Sequence, residues 1–361
     1  MRVGFVINGR VPAVGAVSRG MRPWHLFFGW DDAASPMSFM RFRWIARELR
    51  GRAVYELYRP GRAYEAVVFL KSMGERCLSL AELLREQGTL VIFEANVDYY
   101  SEPTGETRFG AMAPTDEQRA DAVAITEFAD GVIASSRHLA GICGEFNERV
   151  AWVPDNVDFR LVPGRGQRRS RTDGRLNLWW SGMAEKLCEL LAAEEALLSR
   201  RDRVQLRLVT GDLAATRAWP VEVRERFERL LAAVPHSIHR FSDVGNLLER
   251  YSEGGVIVSP RFLDAPYNLG HTEWKISLGM ACGLPALASP VPSYGDLADR
   301  AGEGAVRLCG TEAEWGRALD EVLDAADGDF ERWGEAARGV VREFYSTEVV
   351  AGRHLEAVGE V

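Results

Sequence analysis

The sequence predicts an α/β protein of two successive halves, each built on a mostly parallel sheet. Three observations carry this. Short apolar runs alternate with segments of helical period through the first 154 residues, the pattern of strand–helix–strand units. The alternation stops over residues 156–175, NVDFRLVPGRGQRRSRTDGR, which is rich in Gly and Arg and nearly free of core-forming runs. It restarts at residue 176. The division expected is a first domain over 1–155, a linker over 156–175, a second domain over 176–340, and a C-terminal helix over 341–361 packing back onto the first domain.

In the first half, VGFVIN (3–8) reads as the opening strand. Residues 9–35 form a long loop carrying Trp24, His25, Trp30 and Asp31. A loop of that length in a compact domain is usually functional, and its aromatics suit a flat ligand such as a sugar ring; they serve equally to staple the loop to the core. MSFMRFRWIARELR then predicts one helix with Phe39, Phe42, Ile45 and Leu49 on a single face. Its arginines 41, 43, 47 and 50 read as a solvated face, or as membrane contact for a lipid-linked acceptor. VYELY, AVVFLK, TLVIFEA, GVIASS and VAWVP are strands, separated by helices that include 115–128, where Thr115 and Gln118 form a capping-box pattern.

In the second half, LNLWWS, VQLRLVTG and SIHRFS are strands with helices between them. The richest stretch follows: GGVIVSPRFLDAPYNLGHTEWKISLGMACGLPALAS (254–289). It reads as a buried strand, a loop punctuated by Pro266, Asn268 and Gly270, a helix over 271–282 stopped by Gly283, and another strand. This sets a helix N-terminus beside the carboxyl end of a parallel strand. Open α/β sheets bind ligands there, and free N–H groups with a partial positive charge suit a phosphate. Lys275 in the first turn adds a full charge. Ser293 is expected to cap the next helix, and Asp-Gly-Asp at 327–329 to form a turn.

The 361 residues are 47% hydrophobic and 27% charged, normal for a globular protein. A net charge of −8 argues against nucleic acid as the main partner. It leaves room for a phosphorylated small molecule in a local basic pocket. The chain holds three lysines, Lys71, Lys186 and Lys275, against 41 arginines. Each follows or flanks a strand end, so all three are placed to face one crevice. Five scattered cysteines and six histidines form no metal-ligating spacing, so no metal is expected. The first apolar run is too short for a signal peptide, and no run reaches the roughly 20 apolar residues of a spanning helix. The expectation is a cytoplasmic protein, with membrane contact disfavoured and no oligomeric state readable.

These residues resemble the GT-B glycosyltransferases, two Rossmann-like domains around a cleft with C-terminal helices crossing back. The nearest likeness is to the retaining, nucleotide-sugar-dependent branch, the group 1 or family 4 type found in bacterial cell-surface glycan and natural-product synthesis. DGVIASSRHL with VAWVPDNVD, LWWSGMAEKLCELL, VQLRLVTGD and WKISLGMACGLPALASPVPSYGDL carry the resemblance. It implies an acceptor site on the first domain and a donor site on the second. It implies no cofactor, the nucleoside diphosphate sugar being a co-substrate. Lys186 matches the diphosphate lysine and Gly182 the close backbone approach. Thr210 and Gly211 lie where the donor passes, and Arg240, Phe241 and Ser242 where the base docks. Asn268, His271, Glu273 and Lys275 complete the donor candidates. Asp98 is the candidate for steering the acceptor, with Trp24, His25, Trp30, Asp31, Tyr99 and His138 around it.

The sequence departs from the family at several positions. Gly270 and Leu278 stand where two glutamates are usual, and Glu273 or Asp264 are the nearby carboxylates. The arginine usual near the diphosphate lysine falls at or near Met183, with a shorter turn, and the histidine often found after the fourth strand is absent, that place reading FEANVDYY. The implied activity is transfer of a hexosyl or related sugar to a small soluble acceptor, with retention and without metal. The alternatives are a GT-B-like sugar-nucleotide epimerase and a non-catalytic sugar-nucleotide binding protein. A nicotinamide dehydrogenase is disfavoured, since NGRVPAVGAVSRG after the first strand lacks the G-x-G-x-x-G spacing.

Overall fold

The computed structural model describes residues 1–8, 38–102, 114–164 and 170–360. Two sheets organise them. The first contains β1 (Arg2–Ile7), β2 (Val54–Leu57), β3 (Ala66–Leu70), β4 (Leu90–Ala95), β5 (Gly131–Ala134) and β6 (Val150–Trp152). Its order is β2-β1-β3-β4-β5-β6, and every pairing is parallel. The second contains β7 (Arg171–Thr172), β8 (Arg175–Ser181), β9 (Val204–Thr210), β10 (His236–Arg240), β11 (Val256–Ser259), β12 (Ala286–Ala288) and β13 (Val306–Leu308). Its order is β10-β9-β8-β11-β12-β13, with β7 added antiparallel to β8.

Strands in a parallel sheet are covered on both faces, which is why these sequences read as continuous apolar runs. On β8, Trp180 packs with Leu187 and Leu230 on one side. Its neighbour Trp179 packs with Tyr251 and Ile276 on the other. The same alternation sends Phe69 and Val68 of β3 to opposite cores. The helix Trp274–Ala281 lies so close to β11 that a Cβ at Gly279 would sit 2.2 Å from Ile257 Cγ1.

The two sheets are joined by more than the linker. The helix Asp327–Tyr345 packs with the second sheet through Ala337 and Val341. The helix Thr347–Gly359 buries Val350, Ala351 and Val358 with Val3 and Phe5 of β1. Where one helix gives way to the other, Val157 N–H donates to Tyr345 O (2.8 Å) and Thr347 N–H to Val157 O (3.1 Å).

Several elements differ from the sequence expectation. Residues 38–48 are a π-helix, Ser38–Arg43, followed by an α-helix, Trp44–Glu48, where one continuous helix was expected. Arg41, in the π-turn, is fully buried and does not belong to a solvated face. The helix after β8 is a 3₁₀ segment, Ala184–Ala193, continued by Glu194–Leu198. The expected helix 271–282 is a short turn of helix, Pro266–Leu269, and a separate helix, Trp274–Ala281, so His271 lies in the link between them. Asp327–Asp329 is no turn but the first turn of a 19-residue helix, because Asp329 Oδ2 accepts from the Ala326 N–H at 3.0 Å. Ser293 caps nothing; its hydroxyl donates to His271 O at 2.7 Å. Among the described residues no helix is long and apolar enough to cross a membrane.

Candidate functional site

Strand order reverses between β8 and β11 in the second sheet and between β1 and β3 in the first. Crevices open at such points, outside the carboxyl ends of the strands. Gly182 and Lys186 follow β8; Arg261, Tyr267 and His271 follow β11; Lys275 is the second residue of the helix Trp274–Ala281. The topology therefore gathers them.

Gly182 is shaped by its neighbours. A Cβ there would lie 3.0 Å from the Trp180 ring and 3.1 Å from Lys275 Nζ, so only glycine leaves room beside that ammonium. Thr210 is wholly buried, and its hydroxyl donates to Gly182 O at 2.8 Å. It sets the Gly182 peptide. Lys275 Nζ stands 4.6 Å from the Trp180 ring centroid and 3.8 Å from Glu189 Oε2. Glu189 also takes Arg261 Nη1 at 3.0 and 3.2 Å. Lys186 Nζ lies 2.6 Å from His271 Nε2 and 4.9 Å from the Tyr267 ring centroid. His271 Nδ1 is 2.6 Å from Tyr267 O, a carbonyl that can only accept. The proton is therefore on Nδ1, and Nε2 accepts from Lys186.

Lys275 and Arg261 thus share one carboxylate, Glu189, and Lys186 stands near enough to feel it, in a site shielded from water. The consequence is legible in their titration. Burial, then Arg261, pushes the Lys275 ammonium down to about 7. Burial and Arg261 hold Lys186 well below the ordinary lysine range. Burial and Lys186 do the same to His271. Lys275 Nζ and Arg261 Nε are buried with no hydrogen-bond partner. Such a surplus of desolvated positive charge is costly alone and is relieved by an anion.

The loop 270–274 ties this cluster to the first sheet and the linker. Ser136 Oγ donates to Gly270 O at 3.3 Å, Thr272 Oγ1 to Asp155 Oδ2 at 2.6 Å, and Trp274 Nε1 to Asn156 O at 2.9 Å. A Cβ at Gly270 would sit 2.8 Å from Asp98 Cβ and 2.9 Å from Asp98 N. No glutamate fits there, which gives the first departure from the family a steric reason. Leu278, at the second, is buried in the core below. Glu273 does not stand in for them beside the lysines. Burial, then Asp155, pushes its carboxyl well above the usual range, and its other charged neighbours are Arg41 and Asp296.

On the first-sheet wall, Asp98 Oδ1 accepts from the N–H groups of Tyr100 and Ser101, both at 2.9 Å. Asp98 Oδ2, both amide atoms of Asn96 and Ser135 Oγ are buried without partners. These three side chains stand just beyond β4 and β5. Tyr99 is half-buried there, its hydroxyl pushed up to about 12 by burial. Asn268 braces the 261–270 loop by donating to Phe262 O at 3.1 Å. Gly211 follows β9 with open space at its Cβ position. Arg240 ends β10, Phe241 N–H donates to Thr210 O, and Ser242 Oγ donates to Asp243 Oδ2 at 3.0 Å. His138 lies half-buried in the first turn of the helix Arg137–Cys143. Trp24, His25, Trp30 and Asp31 lie outside the described residues. Arg261, Glu189, Tyr267, Asn96 and Ser135 were not singled out by sequence. Arg261 follows a strand end, yet in a chain of 41 arginines that position carried no signal.

No protein-family model matches the chain, and no curated sequence matches it. Solved structures do. HepE of Anabaena, in complex with UDP-glucose, superposes with a TM-score of 0.65 at 12% identity, covering 100% of both chains. The fold is GT-B. Two further GT-B structures agree. Sucrose-phosphate synthase of Thermosynechococcus elongatus has a TM-score of 0.58 at 19% identity, covering 82% of this chain and 73% of its own. A glycosyltransferase of Rickettsia africae has a TM-score of 0.59 at 12% identity, covering 87% and 86%.

Proposed function

We propose that this chain is a glycosyltransferase that moves a hexosyl or related sugar from a nucleoside diphosphate to a small soluble acceptor. The observation that carries the reading is the cluster beyond the carboxyl ends of β8 and β11, where Lys275 and Arg261 pair with Glu189, Lys186 stands near them, and Gly182 leaves its space to the Lys275 ammonium. A diphosphate supplies the missing negative charge. HepE, with the same fold, binds UDP-glucose.

In the reaction we assign, the bond from the anomeric carbon to the β-phosphate oxygen breaks and the acceptor oxygen bonds the same carbon from the same face. The acceptor proton passes to the departing phosphate, so no strong protein base is required. Lys186 and Lys275 stabilise the charge that grows on the phosphates, where fixed charges in a dry site act most strongly. They fill the part a metal ion plays elsewhere. Asp98, whose buried Oδ2 has no hydrogen-bond partner, is our candidate to accept a hydrogen bond from the acceptor hydroxyl. Five free, buried cysteines support a reducing compartment, the cytoplasm.

Binding should depend on pH. The Lys275 ammonium, at about 7 in the free protein, is raised when an anion binds, so binding takes up a proton above that value. Through Lys275, affinity for a nucleoside diphosphate is expected to be full below pH 7 and to fall by up to about tenfold per unit above it. Calorimetric titration of UDP, GDP, ADP and dTDP in buffers of differing ionisation enthalpy measures both terms. Absence of binding by all four would refute the assignment. A non-catalytic sugar-nucleotide binding protein is the second reading, favoured by the apolar Leu278 at a family glutamate position. Transfer or hydrolysis of the sugar nucleotide that binds decides between them.

A further inference from the structure

Lys71 is the lysine that the donor cluster leaves unused. It follows β3, on the opposite sheet from Lys186 and Lys275, and its backbone is left-handed, with φ +48°. A residue with a Cβ adopts that conformation only under constraint. Asn8, just after β1, is left-handed as well, with φ +54°. β1 and β3 are the two strands between which the first sheet's order turns. Two of the three left-handed non-glycine residues described thus flank that point. The turn is held by the Lys71 N–H donating to Glu94 O at 3.0 Å and the Asn8 N–H donating to Leu70 O at 3.1 Å.

The side chain leaves this turn half-buried, with Nζ 5.8 Å from the Tyr99 ring centroid. Among the described residues no carboxylate forms an ion pair with it. Its charge is felt on the other wall: burial raises the Tyr267 hydroxyl and Lys71 partly offsets that, and Lys71 adds to the lowering of the Lys186 ammonium that burial and Arg261 dominate. All three lysines of the chain therefore converge on one crevice, two from one sheet and one from the other. Like charges gathered in a shielded place repel. A polyanion between the walls would offset the repulsion. A compact ammonium, rather than the broad guanidinium used everywhere else in the chain, suits a point contact with phosphate oxygen.

We propose that Lys71 is a third phosphate-contacting residue, supplied by the first domain, so that the anion site is complete only when the two sheets face each other as they do here. This rests on the reading of the cluster as a nucleoside diphosphate site, and adds to it a phosphate contact from the first sheet.

The test is calorimetry on Lys71→Asn, since asparagine accepts the left-handed backbone and preserves the turn. UDP, GDP, ADP and dTDP are titrated with their parent nucleosides, at low and high salt. Lys71→Asn is expected to weaken the diphosphate that binds by about tenfold, the loss of one charge-assisted contact. It is expected to leave nucleoside affinity and the thermal midpoint unchanged and to flatten the salt dependence. Lys71→Arg should recover part of the loss. If Lys71→Asn binds the diphosphate as tightly as wild type while Lys186→Ala does not, Lys71 has no such role and the diphosphate reading stands. Equal losses for nucleoside and diphosphate make Lys71 structural and overturn the proposal. If wild type binds none of the four, both readings fall.

Discussion

Lys186→Ala is expected to weaken nucleoside diphosphate binding by at least ~100-fold. Lys186 is 6% exposed, and its Nζ is held by His271 Nε2 and the Tyr267 ring at the mouth of the cluster. Removing one partner of a buried ion pair costs about 3–5 kcal/mol, because the other is left buried and uncompensated. That cost corresponds to roughly 10²–10⁴ in the dissociation constant. The free protein should respond in the opposite sense. Burial, then repulsion from Arg261 and from Lys275, depresses the Lys186 ammonium, so its removal relieves strain in the empty site. A thermal midpoint unchanged or raised, together with lost binding, is the expected pair of results. An unchanged affinity by calorimetry would remove Lys186 from the site.

Arg41→Ala is expected to cost about 3–5 kcal/mol of folding stability. Arg41 is fully buried and forms an ion pair with Glu94 at 2.5 Å and with Asp155 at 3.3 Å. It also donates to the carbonyls of Val153 and Pro154, at 2.8 and 2.7 Å. Glu94 in turn meets His354 Nε2 at 3.4 Å, and His354 Nδ1 meets the Tyr55 hydroxyl at 3.1 Å. One guanidinium therefore joins the π-turn, the end of β4, the start of the linker and the C-terminal helix. The pH dependence carries the signature. Burial alone would raise the Glu94 carboxyl; Arg41 and His354 outweigh it and hold the group below its ordinary value. A depressed folded value stabilises above the unfolded value of about 4.3 and is lost as pH falls through the folded one. Without Arg41, burial is uncompensated and protonation of Glu94 becomes favourable. The gap between wild type and variant in urea unfolding should be wide near pH 7 and narrow near pH 4. A gap independent of pH would assign the loss to packing.

Much of the architecture was legible because parallel strands buried on both faces announce themselves as apolar runs. GGVIVS and AVVFLK are cases; the glycine- and arginine-rich 156–175 hid a short strand, Arg171–Thr172, that pairs with β8. Lys186 and Lys275 stood out in the sequence because lysine is scarce in this chain. What stayed hidden was pairing across long separations. Arg41 read as one more surface arginine, and nothing local shows that Glu94 and Asp155 enclose it 53 and 114 residues later. Helical period likewise could not show that an extra residue per turn over Ser38–Arg43 points Arg41 inward. The loss of the family glutamate at Gly270 looked like a loss of chemistry. It is also a matter of space, since the Asp98 backbone occupies the position a side chain would need.

The most direct measurement is a crystal structure with whichever of UDP, GDP, ADP or dTDP binds tightest. The account predicts the diphosphate beside Gly182, with oxygens in hydrogen-bond reach of Lys186 and Lys275 Nζ. A diphosphate bound elsewhere, with both ammonium groups still turned to His271 and Trp180, would contradict it.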